Sequence, residues 1–182
     1  MLIRRKLVKT KAKEILSAWG KSDLPVNVRE IAKAQSIIVD EDKQPKESLS
    51  GFLFVDGDTK IIGVNKSHPK TRRRFTIAHE LGHYFLHTHD HGSPHVDKQS
   101  NVSSTHFRDD SSSEGINAQE IEANLFAAEL LMPEELIYEQ LKALSSMPEY
   151  CGEEVIEKLS EKFDVSIQAM TLRLTNLELL KL

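Results

Sequence analysis

Residues 71–87 read TRRRFTIAHELGHYFLH, and this run sets the framework for the rest of the chain. Phe75, Ala78, Leu81 and Phe85 recur at helical spacing, so the run is expected to be one helix, with Pro69 near its start. On such a helix His79 and His83 lie one turn apart on one face, so both imidazoles can grip a single metal ion. Glu80 stands beside that pair, where it can reach a water polarised by the metal. This is the HExxH arrangement of zinc hydrolases, with Glu80 as general base. Gly82 leaves room for a second helix to pack close. Tyr84, Phe85 and Leu86 read as core, and His87, four residues after His83, as a residue behind the ligands or on the substrate path.

Two histidines are not enough, because a catalytic zinc has three protein ligands and one open position. Candidates for the third are His89, Glu120 and Glu122. His89 has the metzincin spacing, but Leu86 stands where that motif needs a glycine to turn the chain. Glu120 and Glu122 lie on a strong helical pattern from about Asn117 to Met132 (NAQEIEANLFAAELLM). Glu120 shares a face with Asn124, one turn on, which can orient a ligand histidine, and so Glu120 is favoured. It also fits a capping box that starts at Asn117. Glu122 points to roughly the opposite side of the helix from Asn124 and is expected to face solvent.

Outward from these two helices, residues 5–19 show helical spacing with a stop at Gly20, and a short helix is expected within 24–35. Residues 36–40, 50–55 and 59–65 read as strands, the last two joined as a hairpin through Asp56-Gly57-Asp58. Residues 90–115 are polar and loop-like, with a histidine cluster (His87, His89, His91, His95 and His106) that reads as solvated. Pro133 divides the 117–132 helix from the next. A tail from Glu153 to Leu180 resembles a helix-turn-helix around Asp164-Val165-Ser166. Arg173 is its one clear cation before Lys181, which favours a structural or docking role over reading DNA. The basic runs Arg4–Lys13 and Lys70–Arg74 are expected to be mainly solvated.

The fold class expected is α+β: a mainly helical, zincin-like peptidase domain over residues 1–145, with a small antiparallel sheet. A helical, helix-turn-helix-like segment follows over 146–182. The chain has 182 residues, 39% hydrophobic and 29% charged, with a formal net charge of −4, which gives no footprint of a nucleic-acid or polybasic membrane protein. Cys151 is the single cysteine, so there is neither an internal disulfide nor a cysteine zinc site. No signal sequence and no run long enough to cross a bilayer is read, and a cytoplasmic setting is expected.

The two motifs RRRFTIAHELGHYFLH and EIEANLFAAELLMP together resemble the ImmA/IrrE family of bacterial and phage metallopeptidases, over roughly residues 25–140. The resemblance implies Zn²⁺ as cofactor, the third ligand at Glu120 of the E-x-x-A-N stretch, and the general base at Glu80. It implies a protein substrate: family members are similar to proteases that cut a helix-turn-helix repressor and derepress its genes, often in mobile elements or toxin–antitoxin-like pairs. Many members carry a fused DNA-binding domain; the stretch expected here is the peptidase alone. Two rival functions remain: a regulatory module that binds a repressor without hydrolysing it, and a DNA-binding regulator that uses the tail.

Overall fold

The computed structural model describes residues 2–20, 23–41, 50–87, 110–144 and 152–180, with side chains of 110–116 outside the description. The elements run α1 (Arg5–Trp19), α2 (Val28–Ala34), β1 (Ile38–Asp40), β2 (Gly51–Asp56), β3 (Thr59–Val64), α3 (Lys70–His87), α4 (Asp110–Leu131), α5 (Glu134–Ala143), α6 (Glu153–Phe163) and α7 (Ile167–Asn176).

Helix α3 is the central element. Every residue from Thr76 to His83 is buried, as are Leu86 and His87, so the helix is enclosed on all sides rather than along one stripe. It packs against α4, against the sheet through β2 and β3, and against α2. The α3–α4 contact is close because Gly82 has no side chain. A Cβ there would stand 3.0 Å from the Ala123 Cα and 3.2 Å from the Phe126 Cβ. Beside it the Phe85 and Phe126 rings lie 5.8 Å apart. Gly51, at the start of β2, permits a second close approach, since a Cβ there would fall 2.3 Å from the Thr76 Cγ2 on α3.

The sheet is mixed, with strand order β1-β3-β2. The expected hairpin forms, antiparallel, with Asp56 paired to Thr59 across the turn and Gly57 at φ 54°. The expectation of a wholly antiparallel sheet is corrected at β1, which pairs parallel to β3, Ile38 opposite Ile61. Parallel neighbours need a connection of about a dozen residues or more, and residues 41–58, including β2 itself, supply it. Local strand propensity carries no information about that choice.

Helix α1 ends as read, at Gly20, which takes φ 69° and returns its N–H to the Leu16 carbonyl. A second correction concerns α4. It begins at Asp110, so residues 110–115 are helix rather than loop, and acidic and serine-rich sequence suits a helix N-terminal half. Asn117 is therefore inside the helix, and the capping box that starts there does not exist. Residues 88–109, with His89, His91, His95 and His106, lie outside the described residues.

The run Arg4–Lys13 is largely exposed, as expected, whereas Lys70–Arg74 is only partly so, because Arg73 and Arg74 are half-buried. Arg74 donates to the Asp164 and Val26 carbonyls, and Lys70 pairs with the Asp164 carboxylate at 2.7 Å. Arg73 reaches Glu41, and Arg72 reaches Ser50. The Lys70 and Arg74 contacts with Asp164 tie α3 to the turn between α6 and α7. Asp164 itself sits at φ 51°, and Ser166 caps α7 by accepting from the Ala169 N–H. Leu159, Phe163, Met170 and Leu174 bury themselves in the same cluster as Ile77, Leu81 and Phe126, so one core runs through both the first 145 residues and the tail.

Replacing Gly82 with Val is expected to force α4 off α3. Overpacking of this kind costs about 1–3 kcal/mol, read as a lower urea midpoint with an unchanged m-value.

Candidate metal centre

Helices α3 and α4 bring His79, His83 and Glu120 together, with one donor atom from each inside a 4.8 Å cluster. The two imidazole Nε2 atoms are 3.1 Å apart. Glu120 Oε2 lies 3.2 Å from His79 Nε2, and Oε1 lies 3.1 Å from His83 Nε2. A tetrahedral ion with bonds of ~2.0–2.1 Å has ligand–ligand edges of about 3.3 Å, so the spacing fits a metal of zinc's size.

The far side of each ring suits the cluster to a cation. His79 Nδ1 donates to Asn124 Oδ1 at 3.0 Å. That bond places the ring proton on Nδ1 and leaves Nε2 as a bare lone pair. His83 Nδ1 is engaged with His87 Nδ1 at 3.1 Å, which likewise turns its Nε2 inward. Two lone pairs and a carboxylate facing one another at this range repel unless positive charge sits among them.

Glu80 is 1% exposed and lies with His79, Glu120 and Asn124 on the wall of a cleft of about 950 Å³. The opposite wall comes from α7, through Ala169, Leu172 and Asn176. Leu172 is 61% exposed and Ile121 37%, so the cleft presents apolar side chains to an incoming chain.

The structure thus brings together Glu80, His79, His83, Glu120 and Asn124, and sets His87 directly behind His83. It corrects Glu122, which does not face solvent. Glu122 is 2% exposed and accepts from the Arg4 backbone N–H at 2.8 Å and from the guanidinium Nη2 at 2.6 Å. It also accepts from His87 Nε2 at 3.1 Å. The reason is that α4 is covered on more than one side, by α3 and by α1. Its run of apolar residues from Ala123 to Met132 was the available signal, since a helix apolar all round is buried all round. Arg4 had no such signal.

Arg173, the one clear cation of the tail before Lys181, is 4% exposed and bidentate to Glu129 at 2.6 and 2.9 Å, with a further bond to the Met132 carbonyl. It is a packed structural residue. No helix among the described residues is long and apolar enough to cross a membrane.

Hydrogen bonds from Arg4 hold the Glu122 carboxyl down at about 2, against the cost of its burial. Burial dominates at His87 and depresses it to about 4, despite the hydrogen bond to Glu122. In the unfolded chain His87 gains its proton near 6.5, so between pH 6.5 and 4 the unfolded state binds more protons. Metal-free protein is therefore expected to lose stability as pH falls across that window. Glu122 stabilises above its ordinary value of 4.5 and loses that contribution as pH falls toward 2. Urea midpoints between pH 7 and 4 check this, and His87→Gln is expected to show the shallower decline.

A family model described as Peptidase_M78, the IrrE N-terminal-like domain, matches residues 32–175. Among curated proteins the chain is similar to "Uncharacterized immunity region protein 2" of Bacillus phage phi105, 31% identical over 86 residues, which is 47% of this chain and 46% of the phage protein. Among solved structures it is similar to a chain titled "Mycobacterium tuberculosis transcriptional regulator", with a TM-score of 0.59 and 19% identity over 92% of this chain and 46% of that one. The chain thus spans about half the length of each. The second likeness is one of fold, an α+β arrangement of mostly helices around a small sheet. With four-fifths of its length matched and a His-His-Glu cluster on two packed helices, the chain belongs to the Peptidase_M78, IrrE N-terminal-like family of metallopeptidases.

Proposed function

We propose that the chain is a zinc metalloendopeptidase that cuts a helix-turn-helix repressor and so derepresses the genes it controls. The observation that carries the peptidase reading is the convergence of His79, His83 and Glu120 at 3.1–3.2 Å, with buried Glu80 beside them on the wall of one cleft.

The donor set of two imidazoles and one carboxylate suits zinc and leaves a coordination position open. A zinc ion held there supplies Lewis acidity at the scissile carbonyl and at the attacking water. Glu80 takes a proton from that water and returns it to the leaving amine. Asn124 and His87 fix the two rings so that both Nε2 lone pairs face the centre. The cleft between α3, α4 and α7 holds the substrate chain, with Leu172 and Ile121 offering apolar contacts.

A metal site that only stabilised the fold has no use for a buried carboxylate next to its open position, which favours hydrolysis over a purely binding role. The DNA-binding alternative loses its main cation, because Arg173 is buried and paired with Glu129. Support for a repressor target is of a different kind. It comes from the family resemblance and from the phage relative, whose name assigns it to an immunity region. The single cysteine fits a cytoplasmic setting, where repressors act.

Glu80→Gln separates binding from chemistry. Wild type and variant are expected to hold about one zinc per chain by metal analysis. Only wild type is expected to cleave a co-produced helix-turn-helix repressor, with the variant slower by ~10²–10⁴-fold. Equal cleavage by both proteins excludes Glu80 as the base.

A further inference from the structure

Behind His83 the structure carries a line of buried polar side chains that the peptidase reaction does not itself use. His83 Nδ1 lies 3.1 Å from His87 Nδ1, and His87 Nε2 lies 3.1 Å from Glu122 Oε2. The His87 and Glu122 side chains are 1% and 2% exposed. Arg4 closes the line with its backbone N–H and two guanidinium nitrogens, at 2.6 to 3.2 Å from the Glu122 oxygens. Arg4 precedes α1, so the line runs from the first turn of the chain to the proposed metal centre.

The donor and acceptor count permits one arrangement when His83 Nε2 faces a metal. His83 then carries its proton on Nδ1 and donates to His87 Nδ1. His87 must carry its own proton on Nε2, and it donates to Glu122. Glu122 stays a carboxylate and accepts from His87 and from Arg4. Every atom in the line has a partner of the right sense. Reversing any link places two donors or two acceptors face to face. His79 differs: its Nδ1 meets the neutral amide of Asn124 directly.

We propose that Arg4, Glu122 and His87 are positioning residues that act through His83: they fix its ring and tautomer, and through it the affinity and geometry of the metal centre. This rests on the reading of His79, His83 and Glu120 as metal ligands. A ligand imidazole backed by a carboxylate through a hydrogen bond is both oriented and made a stronger donor, and losing such a partner typically costs 10–100-fold in metal affinity. Here the carboxylate is one imidazole removed, and the guanidinium holds it in place. The N-terminal residues thereby become part of the metal centre although no ligand lies near them in sequence.

The test uses the purified full chain. Zinc affinity is measured by competition with a chromophoric chelator at fixed pH for wild type, Arg4→Ala, Glu122→Ala, His87→Phe and the double variant Glu122→Ala/His87→Phe. Each single variant is expected to bind zinc 10–100-fold more weakly. The double variant is expected to be no weaker than His87→Phe, because removing the middle of a chain already disconnects its end. The cobalt-loaded proteins are expected to show a changed visible ligand-field spectrum in the same variants. Nitrogen-15 NMR of the histidine rings in zinc-loaded wild type needs no variant to fold. It is expected to show His83 protonated at Nδ1 and His87 at Nε2. Wild-type affinity retained in the variants, multiplying losses in the double variant, or a His87 ring protonated at Nδ1 would each overturn the proposal. Failure of wild type itself to bind zinc would instead overturn the metal reading beneath it.

Discussion

Two imidazole nitrogens and a carboxylate held 3.1–3.2 Å apart are an unstable grouping in the absence of a cation, and the fold holds them there regardless. What imposes the grouping is the contact between α3 and α4 at Gly82, where backbone approaches backbone. A side chain of any size at Gly82 would move Glu120 and Asn124 away from both histidines. The rest of the architecture keeps that contact closed: β2 presses on α3 from one side, α1 covers α4 from the other, and α5 to α7 wrap the end of the pair.

Charge is arranged around this pair more than composition implies. Lys70 and Arg74, in α3's first turns, bind Asp164, so they anchor the α6–α7 turn. Arg173 and Glu129 form a buried, bidentate pair, and Glu122, itself buried, pairs with the partly exposed Arg4. Buried pairs of this type contribute more to a unique arrangement than to net stability, since desolvation offsets much of their attraction. Here the arrangement they specify is the position of α7 along the cleft and the orientation of His83 behind the site.

Family membership follows from a match along most of the chain, and the proposed repressor substrate from the family resemblance and the phage relative's immunity-region name. The geometry is consistent with this division. It offers a buried carboxylate, a His-His-Glu cluster and an apolar-walled cleft, the parts that the proposed hydrolysis would use.

HExxH periodicity alone determined that His79 and His83 share a face with Glu80 beside them, because four-residue spacing on a helix fixes that geometry whatever surrounds it. The choice of Glu120 with Asn124 was likewise legible, since both are separated by one turn. The hairpin and the end of α1 at Gly20 were readable for the same local reason. Tertiary structure decided the remainder. β1 joins the sheet parallel to β3, and α4 starts seven residues before its apolar pattern does. Glu122 looked solvent-facing on a helical wheel, but the wheel cannot show that α1's leading residues cover that side. Burial by a segment more than a hundred residues away is a long-range property. That is why the path from Arg4 to His83 has no signature in the sequence.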